Sequence, residues 1–274
     1  MCLPDVVKIL RPVNCLMAAL GTFIGYSIAS GLLECQPGIA IAMLVAFLVC
    51  GGGMVINDYF DLAIDKKQHP KKALASGRIT PGTAMLYAAA LFLAGNLLAF
   101  FFLPTITSTI AVAFTILLIA YSRFLGKAKY LGNWVVASGT AFTLIFGASL
   151  FGNYAIVAWL ALAALFANLA REVIKDIEDL KTDKGFKKSL PMLLGKKKTI
   201  WFAFAYYLIA ILAVYVPVFL YGFNRPAFTA LVTIANIVFV ASFRNARKGK
   251  FAKAQKLSKI GMLIALIGFL VGVI

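Results

Sequence analysis

The sequence predicts an all-α polytopic membrane protein, with nine transmembrane helices in one bundle around a central cavity. Three observations carry that expectation. First, 62% of the 274 residues are hydrophobic and only 14% charged, with a mean hydropathy of +0.92; a water-soluble globule does not have this balance. Second, the apolar residues come in repeated runs of about 20, the length of an α-helix that crosses a bilayer, which argues for helices and against a barrel. Third, 26 of the 27 Lys and Arg residues fall in the N-terminal segment, in the loops after spans two, four, six and eight, or in the span ends adjoining those loops, leaving Arg225 apart. Positive residues gather on the cytoplasmic side of membrane proteins, so the asymmetry supports both the number of spans and a cytoplasmic N-terminus in a multi-pass protein of the cell membrane. It also accounts for the net charge of +17 without invoking nucleic acid. Residues 1–274 read as a single transmembrane domain.

Taken in order, Arg11-Pro12-Val13-Asn14 leads into a first span at about 13–33, with no cleavable signal pattern before it. A turn holding Glu34 and Pro37 returns the chain into span two, about 38–60. Within it Gly51-Gly52-Gly53 permits either close helix packing or a bend. A basic loop over 66–80 follows, and Pro81 opens span three, about 81–102. Pro104 precedes span four at about 105–121, which ends on Tyr121-Ser122-Arg123. Span five, about 131–151, carries Asn133 and Trp134 at its start. Gly152-Asn153 turns the chain into span six, about 154–175, and a second basic stretch follows around Lys184-Gly185-Phe186-Lys187-Lys188. Spans seven to nine lie near 199–221, 227–243 and 257–274. Cys2, Cys15, Cys35 and Cys50 have no metal-like spacing and read as packing residues. His69 before Pro70 reads as a solvated loop histidine.

Of the ten acidic residues, eight sit in two segments. The first is Asn57-Asp58-Tyr59-Phe60-Asp61-Leu62-Ala63-Ile64-Asp65. The second runs from Arg171-Glu172 through Asp176, Glu178 and Asp179 to Asp183. Each follows an apolar span directly, so its carboxylates stand where a helix meets water. On a continuing helix Asn57, Asp61 and Asp65 fall four apart on one face, and Asp176, Asp179 and Asp183 repeat the arrangement at spacings of three and four. Carboxylates so placed repel one another and lose hydration near lipid, and a bound cation removes both costs. Oxygen ligands without Cys or His select a hard ion such as Mg²⁺, which binds one or two carboxylates while phosphate oxygens complete its shell. Spans two and six both run outward to inward, so the two motifs should emerge at the same membrane face and confront each other across a cavity.

Two metal-holding acidic motifs flanked by Lys and Arg suit a diphosphate. Ionising an allylic C–O bond leaves negative charge on the diphosphate, which metal ions and basic side chains stabilise, and a positive carbon that must be kept from water. The basic loops are equally what topology alone would place there.

The pairing of Asn57-Asp58-x-x-Asp61-x-x-x-Asp65 with Asp176-x-x-Asp179-x-x-x-Asp183, after an Arg-Glu-x-x-Lys lead-in and together with the Ser76-Gly77-Arg78-Ile79 loop, resembles the UbiA superfamily of intramembrane prenyltransferases over nearly the whole chain. The resemblance implies Mg²⁺ at Asn57, Asp58, Asp61, Asp65, Asp176, Asp179 and Asp183, with Asp61, Asp65, Asp179 and Asp183 as the catalytic carboxylates. It implies a polyprenyl diphosphate donor held by Lys67, Lys71, Lys72, Arg78 and Lys175. Many relatives have Arg-Pro where Lys72-Ala73 stands, which leaves open which cation meets phosphate. Within the superfamily the second motif looks most like the archaeal branch that makes digeranylgeranylglyceryl phosphate by prenylating the free hydroxyl of geranylgeranylglyceryl phosphate. A phosphorylated, lipid-like acceptor would suit Arg11 and Lys127, with Asn14 and Tyr121 beside them. The alternative acceptors are an aromatic quinone precursor or haem. A cation carrier is a reading of another class, disfavoured because the acids cluster at one face and not at the midplane.

Overall fold

The computed structural model describes residues 3–125, 129–183, 185, 188–223 and 225–273. The helices in order are α1 (Leu3–Leu10), α2 (Pro12–Ser30), α3 (Pro37–Phe60), α4 (Leu62–Gln68), α5 (Pro81–Phe102), α6 (Thr105–Ala120), α7 (Lys129–Ala148), α8 (Ala155–Glu178), α9 (Leu180–Asp183), α10 (Leu190–Leu220), α11 (Pro226–Arg247) and α12 (Phe251–Val271), with a π-helical turn at Tyr121–Leu125. Among the described residues nine helices are long and apolar enough to cross a membrane. Pro37, Pro81 and Pro226 each open a helix, at the position where a missing N–H and a fixed φ cost nothing. The chain packs as two compact units, residues 1–23 with 35–126, and residues 24–34 with 127–274.

In the first unit α3 packs against α5, α6 and α1. The three glycines expected to allow packing or a bend do the former, since α3 stays helical through them. A Cβ on Gly51 would meet the Leu10 side chain at 2.9 Å, one on Gly52 the Phe92 ring at 2.8 Å, and one on Gly53 Leu118 at 2.8 Å. Each glycine therefore admits a different neighbour close to the α3 axis. Helices α5 and α6 are tied by Asn96, which donates to Thr115 at 3.0 Å, and by the Ser108 hydroxyl on the Ala99 carbonyl at 2.7 Å. Helix α1 was not foreseen in the sequence, where the residues before about 13 read only as the lead-in to span one. The break falls at Arg11, whose φ is +51°, followed by Pro12.

In the second unit α8 packs against α7, α10 and α12, and α11 lies against α12. The start of this unit presses the backbone of α2 onto α7: a Cβ on Gly25 would fall 2.0 Å from the Leu144 carbonyl oxygen. A short helical turn from Leu190 precedes span seven: Gly195 (φ 78°, ψ 157°) is non-helical and breaks α10, and the long helix resumes beyond it, close to the start expected near 199. Buried Tyr207 of α10 shares its hydroxyl with Ser258 of α12 at 2.6 Å and Ser242 of α11 at 3.1 Å, while the two serines stand 3.0 Å apart. The Tyr207 ring stacks on Phe239 with centroids 5.1 Å apart. Cys15, Cys35 and Cys50 are free thiols.

Candidate functional site

Both acidic motifs have the same local construction. The long helix α3 ends at Phe60, Asp61 takes φ −84° and ψ 1°, and α4 begins at Leu62. In the other unit α8 ends at Glu178, Asp179 takes φ −78° and ψ 0°, and α9 begins at Leu180. Helical hydrogen bonds persist across each step. The Asp61 amide donates to the Asn57 carbonyl at 2.9 Å and the Asp65 amide to that of Asp61 at 2.8 Å; the corresponding distances at Asp179 and Asp183 are both 2.9 Å. Burial repeats as well: Asp58 (6% exposed), Asp65 (5%), Asp176 (0%) and Asp183 (6%) are buried, whereas Asp61 and Asp179 are half-buried. The repeating unit is thus Asp-x-x-Asp-Leu-x-x-Asp, with two buried acids around a more accessible one. The stripe expected on one unbroken helix is corrected, because each motif steps at its central aspartate.

The first motif is held by cations of its own unit. Arg11 Nη2 lies 2.6 Å from Asp58 Oδ1, and Lys72 Nζ bridges the same oxygen at 3.2 Å and Asp65 Oδ2 at 2.7 Å. The Asn57 amide donates to Asp61 Oδ2 at 3.3 Å. Arg11, expected as an acceptor cation outside the motif, pairs with Asp58 and keeps 40% of its side chain exposed. Arg78 reaches back to the N-terminal helix, with Nε 3.1 Å from buried Asp5 and Nη2 donating to the Lys71 carbonyl at 2.9 Å. Lys67 and Lys71 are exposed, and residues Gln68 to Lys72 line a shallow open cleft. Asn14 is exposed and Tyr121 half-buried at the start of the π-helical turn. Lys127 lies outside the described residues.

In the second motif the Asn133 amide of α7 donates to Asp176 Oδ2 at 2.7 Å. About two turns deeper along the same pair of helices, Asn168 donates to Thr140 at 2.8 Å and accepts from Arg171 Nε at 3.0 Å, while Arg171 also pairs with Glu172. Lys175 is half-buried. Asp5, Asn168 and the orienting role of Asn133 were missed in the sequence. A usable signal was there: Asp5 and Glu34 are the only acids outside the two motifs, and an amide inside an apolar span needs a partner.

Among the described residues no three His, Cys, Asp or Glu side chains gather closely enough to enclose a metal ion unaided. Asp58 sits about 100° around α3 from Asn57 and is taken by Arg11 and Lys72. An all-oxygen set offering one or two carboxylates per ion still fits Mg²⁺, whose other ligands are water and phosphate oxygens.

A repeated helix-end aspartate motif in a bundle of membrane-length helices defines the class, and the profile of the UbiA prenyltransferase family matches residues 18–267. The chain belongs to that family. It is 34% identical over 268 residues to the digeranylgeranylglyceryl phosphate synthase of Methanothrix thermoacetophila, covering 97% of this chain and 98% of that protein. A solved structure of digeranylgeranylglyceryl phosphate synthase is similar with a TM-score of 0.85 and 32% identity, covering 99% of this chain and 98% of that one. The fold is shared with a UbiA homologue from Archaeoglobus fulgidus bound to GPP and Mg²⁺, at a TM-score of 0.71 and 16% identity over 97% of this chain and 99% of that chain.

Proposed function

We propose that this protein transfers a geranylgeranyl group from its diphosphate to the free hydroxyl of geranylgeranylglyceryl phosphate, releasing diphosphate, as a Mg²⁺-dependent step of archaeal ether-lipid synthesis. The observation that carries the reading is likeness to digeranylgeranylglyceryl phosphate synthases along nearly the full length of both chains. The Archaeoglobus homologue's complex with GPP and Mg²⁺ supports the donor and the metal.

Asn57, Asp61 and Asp65 in the first motif, and Asp176, Asp179 and Asp183 in the second, would each hold Mg²⁺. Bound there, Mg²⁺ would supply positive charge against the diphosphate as the allylic C–O bond ionises. The rest of the work belongs to the chain. Asp61 and Asp179, the accessible members, present their carboxylates, while Asn57 and Asn133 orient Asp61 and Asp176 through their amides. Arg11 and Lys72 fix Asp58 and Asp65, and Lys67, Lys71, Arg78 and Lys175 add positive potential that draws the anionic donor. The apolar helices keep water from the carbocation until the acceptor oxygen bonds to it and its proton is released. Asn14, Tyr121 and Lys127 remain the proposed acceptor contacts. Charge asymmetry supports an active face open to the cytoplasm.

The test is product formation by detergent-purified protein with labelled geranylgeranyl diphosphate and a panel of acceptors. Product from geranylgeranylglyceryl phosphate, lost with EDTA, is expected. Prenylation of an aromatic acid or haem, with none of the glyceryl phosphate, would overturn the acceptor assignment.

A further inference from the structure

Asp58 and Asp65 are buried carboxylates at a helix end, and a buried charge is costly unless paired. The structure gives each a cation, but unequally. Asp58 has two, Arg11 at 2.6 Å and Lys72 at 3.2 Å on the same oxygen, whereas Asp65 has Lys72 at 2.7 Å. Lys72 approaches from the loop beyond α4, and its side chain keeps 32% of its exposure, so it can leave without unpacking a helix. If it left, Asp58 would keep Arg11, and Asp65 would turn to whatever positive charge replaced the ammonium. A divalent ion at Asp65 would also repel the ammonium, because both would occupy the same few ångströms at low dielectric.

We infer that Lys72 is a built-in counter-cation of the first acidic motif: it and the metal compete for Asp65, and metal binding frees its ammonium for the donor diphosphate. The competition orders the ligands. Before the metal arrives Lys72 neutralises the motif and holds it together; afterwards the same side chain becomes a free cation in the open cleft lined by Gln68, His69, Pro70, Lys71 and Lys72. Arg11 cannot exchange in this way, because it is anchored at the α1–α2 junction and, among the described residues, pairs with Asp58 alone of the motif's acids.

This inference rests on the proposed metal binding, and the experiment separates the two. Mn²⁺ binding is measured by electron paramagnetic resonance on purified full-length protein without any prenyl diphosphate, for the wild type, Lys72→Met and Lys72→Arg. A charge-assisted contact is worth enough that its removal should tighten Mn²⁺ binding on the order of tenfold in Lys72→Met, with Lys72→Arg close to wild type. In EDTA, Lys72→Met should also melt below wild type and recover more of its melting temperature on adding Mg²⁺. A second measurement needs no variant. Amine acetylation of the wild type, read by mass spectrometry, should find Lys72 protected in EDTA and increasingly reactive as Mg²⁺ is added. Unchanged or weaker Mn²⁺ binding in Lys72→Met would overturn the inference, as would Lys72 acetylation that Mg²⁺ leaves unchanged or lowers. Absence of Mn²⁺ binding by the wild type would instead remove the metal reading beneath it.

Discussion

Replacing Arg11 by alanine and, separately, by glycine dissects two opposing features of one residue. Its guanidinium lies 2.6 Å from buried Asp58, yet its backbone holds φ +51°, a conformation that costs a residue with a Cβ about 1–2 kcal/mol. Arg11→Ala removes the ion pair and keeps the strain. A hydrogen bond to a charged group is worth about 1.5–3 kcal/mol, and the low end applies here because the Arg11 side chain is 40% exposed and Lys72 stays on the same Asp58 oxygen. A loss of about 1.5–2 kcal/mol is expected for Arg11→Ala. Arg11→Gly also loses the ion pair but relieves the backbone, so it should be about 1 kcal/mol more stable than the alanine variant. Unfolding in mixed micelles of increasing SDS fraction, followed by far-ultraviolet circular dichroism, reads both differences. All three tryptophans, Trp134, Trp159 and Trp201, belong to the second unit, so their fluorescence would not report this one. An alanine variant as stable as the wild type, or a glycine variant no more stable than alanine, would refute the reasoning.

Asp61→Ala and Asp179→Ala should each cut turnover by at least about a thousandfold at saturating Mg²⁺. Both should unfold near wild type, since these are the half-buried members of their motifs; near-normal product formation would remove that motif from the chemistry. Asn133→Ala should destabilise by about 1–3 kcal/mol and lower turnover, and a double-mutant cycle with Asp176→Asn should recover most of that stability as coupling. Gly25→Ala should be poorly tolerated, because its Cβ would fall 2.0 Å from a backbone oxygen. Gly52→Ala, which meets only the movable Phe92 ring, should cost about 1–3 kcal/mol; a reversed order of melting temperatures would contradict both. A cysteine at Lys250 in a cysteine-free background should resist an impermeant thiol reagent in intact cells while one at Arg225 reacts, and the opposite result would invert the topology.

Much of the bundle was legible because membrane helices announce themselves through length and terminal prolines. Span three was expected at about 81–102 and is Pro81–Phe102; span two was expected at about 38–60 and is Pro37–Phe60. The short helix ahead of span seven was not legible. Leu190 to Leu194 is as apolar as any span, and only the backbone of Gly195 shows where one helix stops and the next begins. The acidic motifs were visible by composition, but their steps were not, since residues 57, 61 and 65 keep helical hydrogen bonds while the path changes at Asp61. Least visible were the partners. Arg11 and Asp58 are 47 residues apart, Arg78 and Asp5 are 73 apart, and Asn133 and Asp176 are 43 apart. The resemblance pointed Arg78, and its place at the entry of span one pointed Arg11, to substrate phosphates, but neither showed that each also pairs with a carboxylate in its own unit.

The hydroxyl cluster of Tyr207, Ser242 and Ser258 has a consequence for how the chain is made. Ser258 can enter the bilayer unaided, because its hydroxyl already bonds the Ala254 carbonyl four residues back in its own helix, at 2.9 Å. Tyr207 has no such refuge: its partners are Ser242 and Ser258, carried by helices synthesised later. A nascent chain halted after α10 would hold a phenol in hydrocarbon with nothing to bond, and one halted after α11 would lack the shorter of its two bonds. Polar groups inside lipid that wait for partners drive helices together, so the last two helices act as a closing clasp. Until α12 has been inserted, the carboxyl-terminal part of the protein should stay open to quality-control proteases.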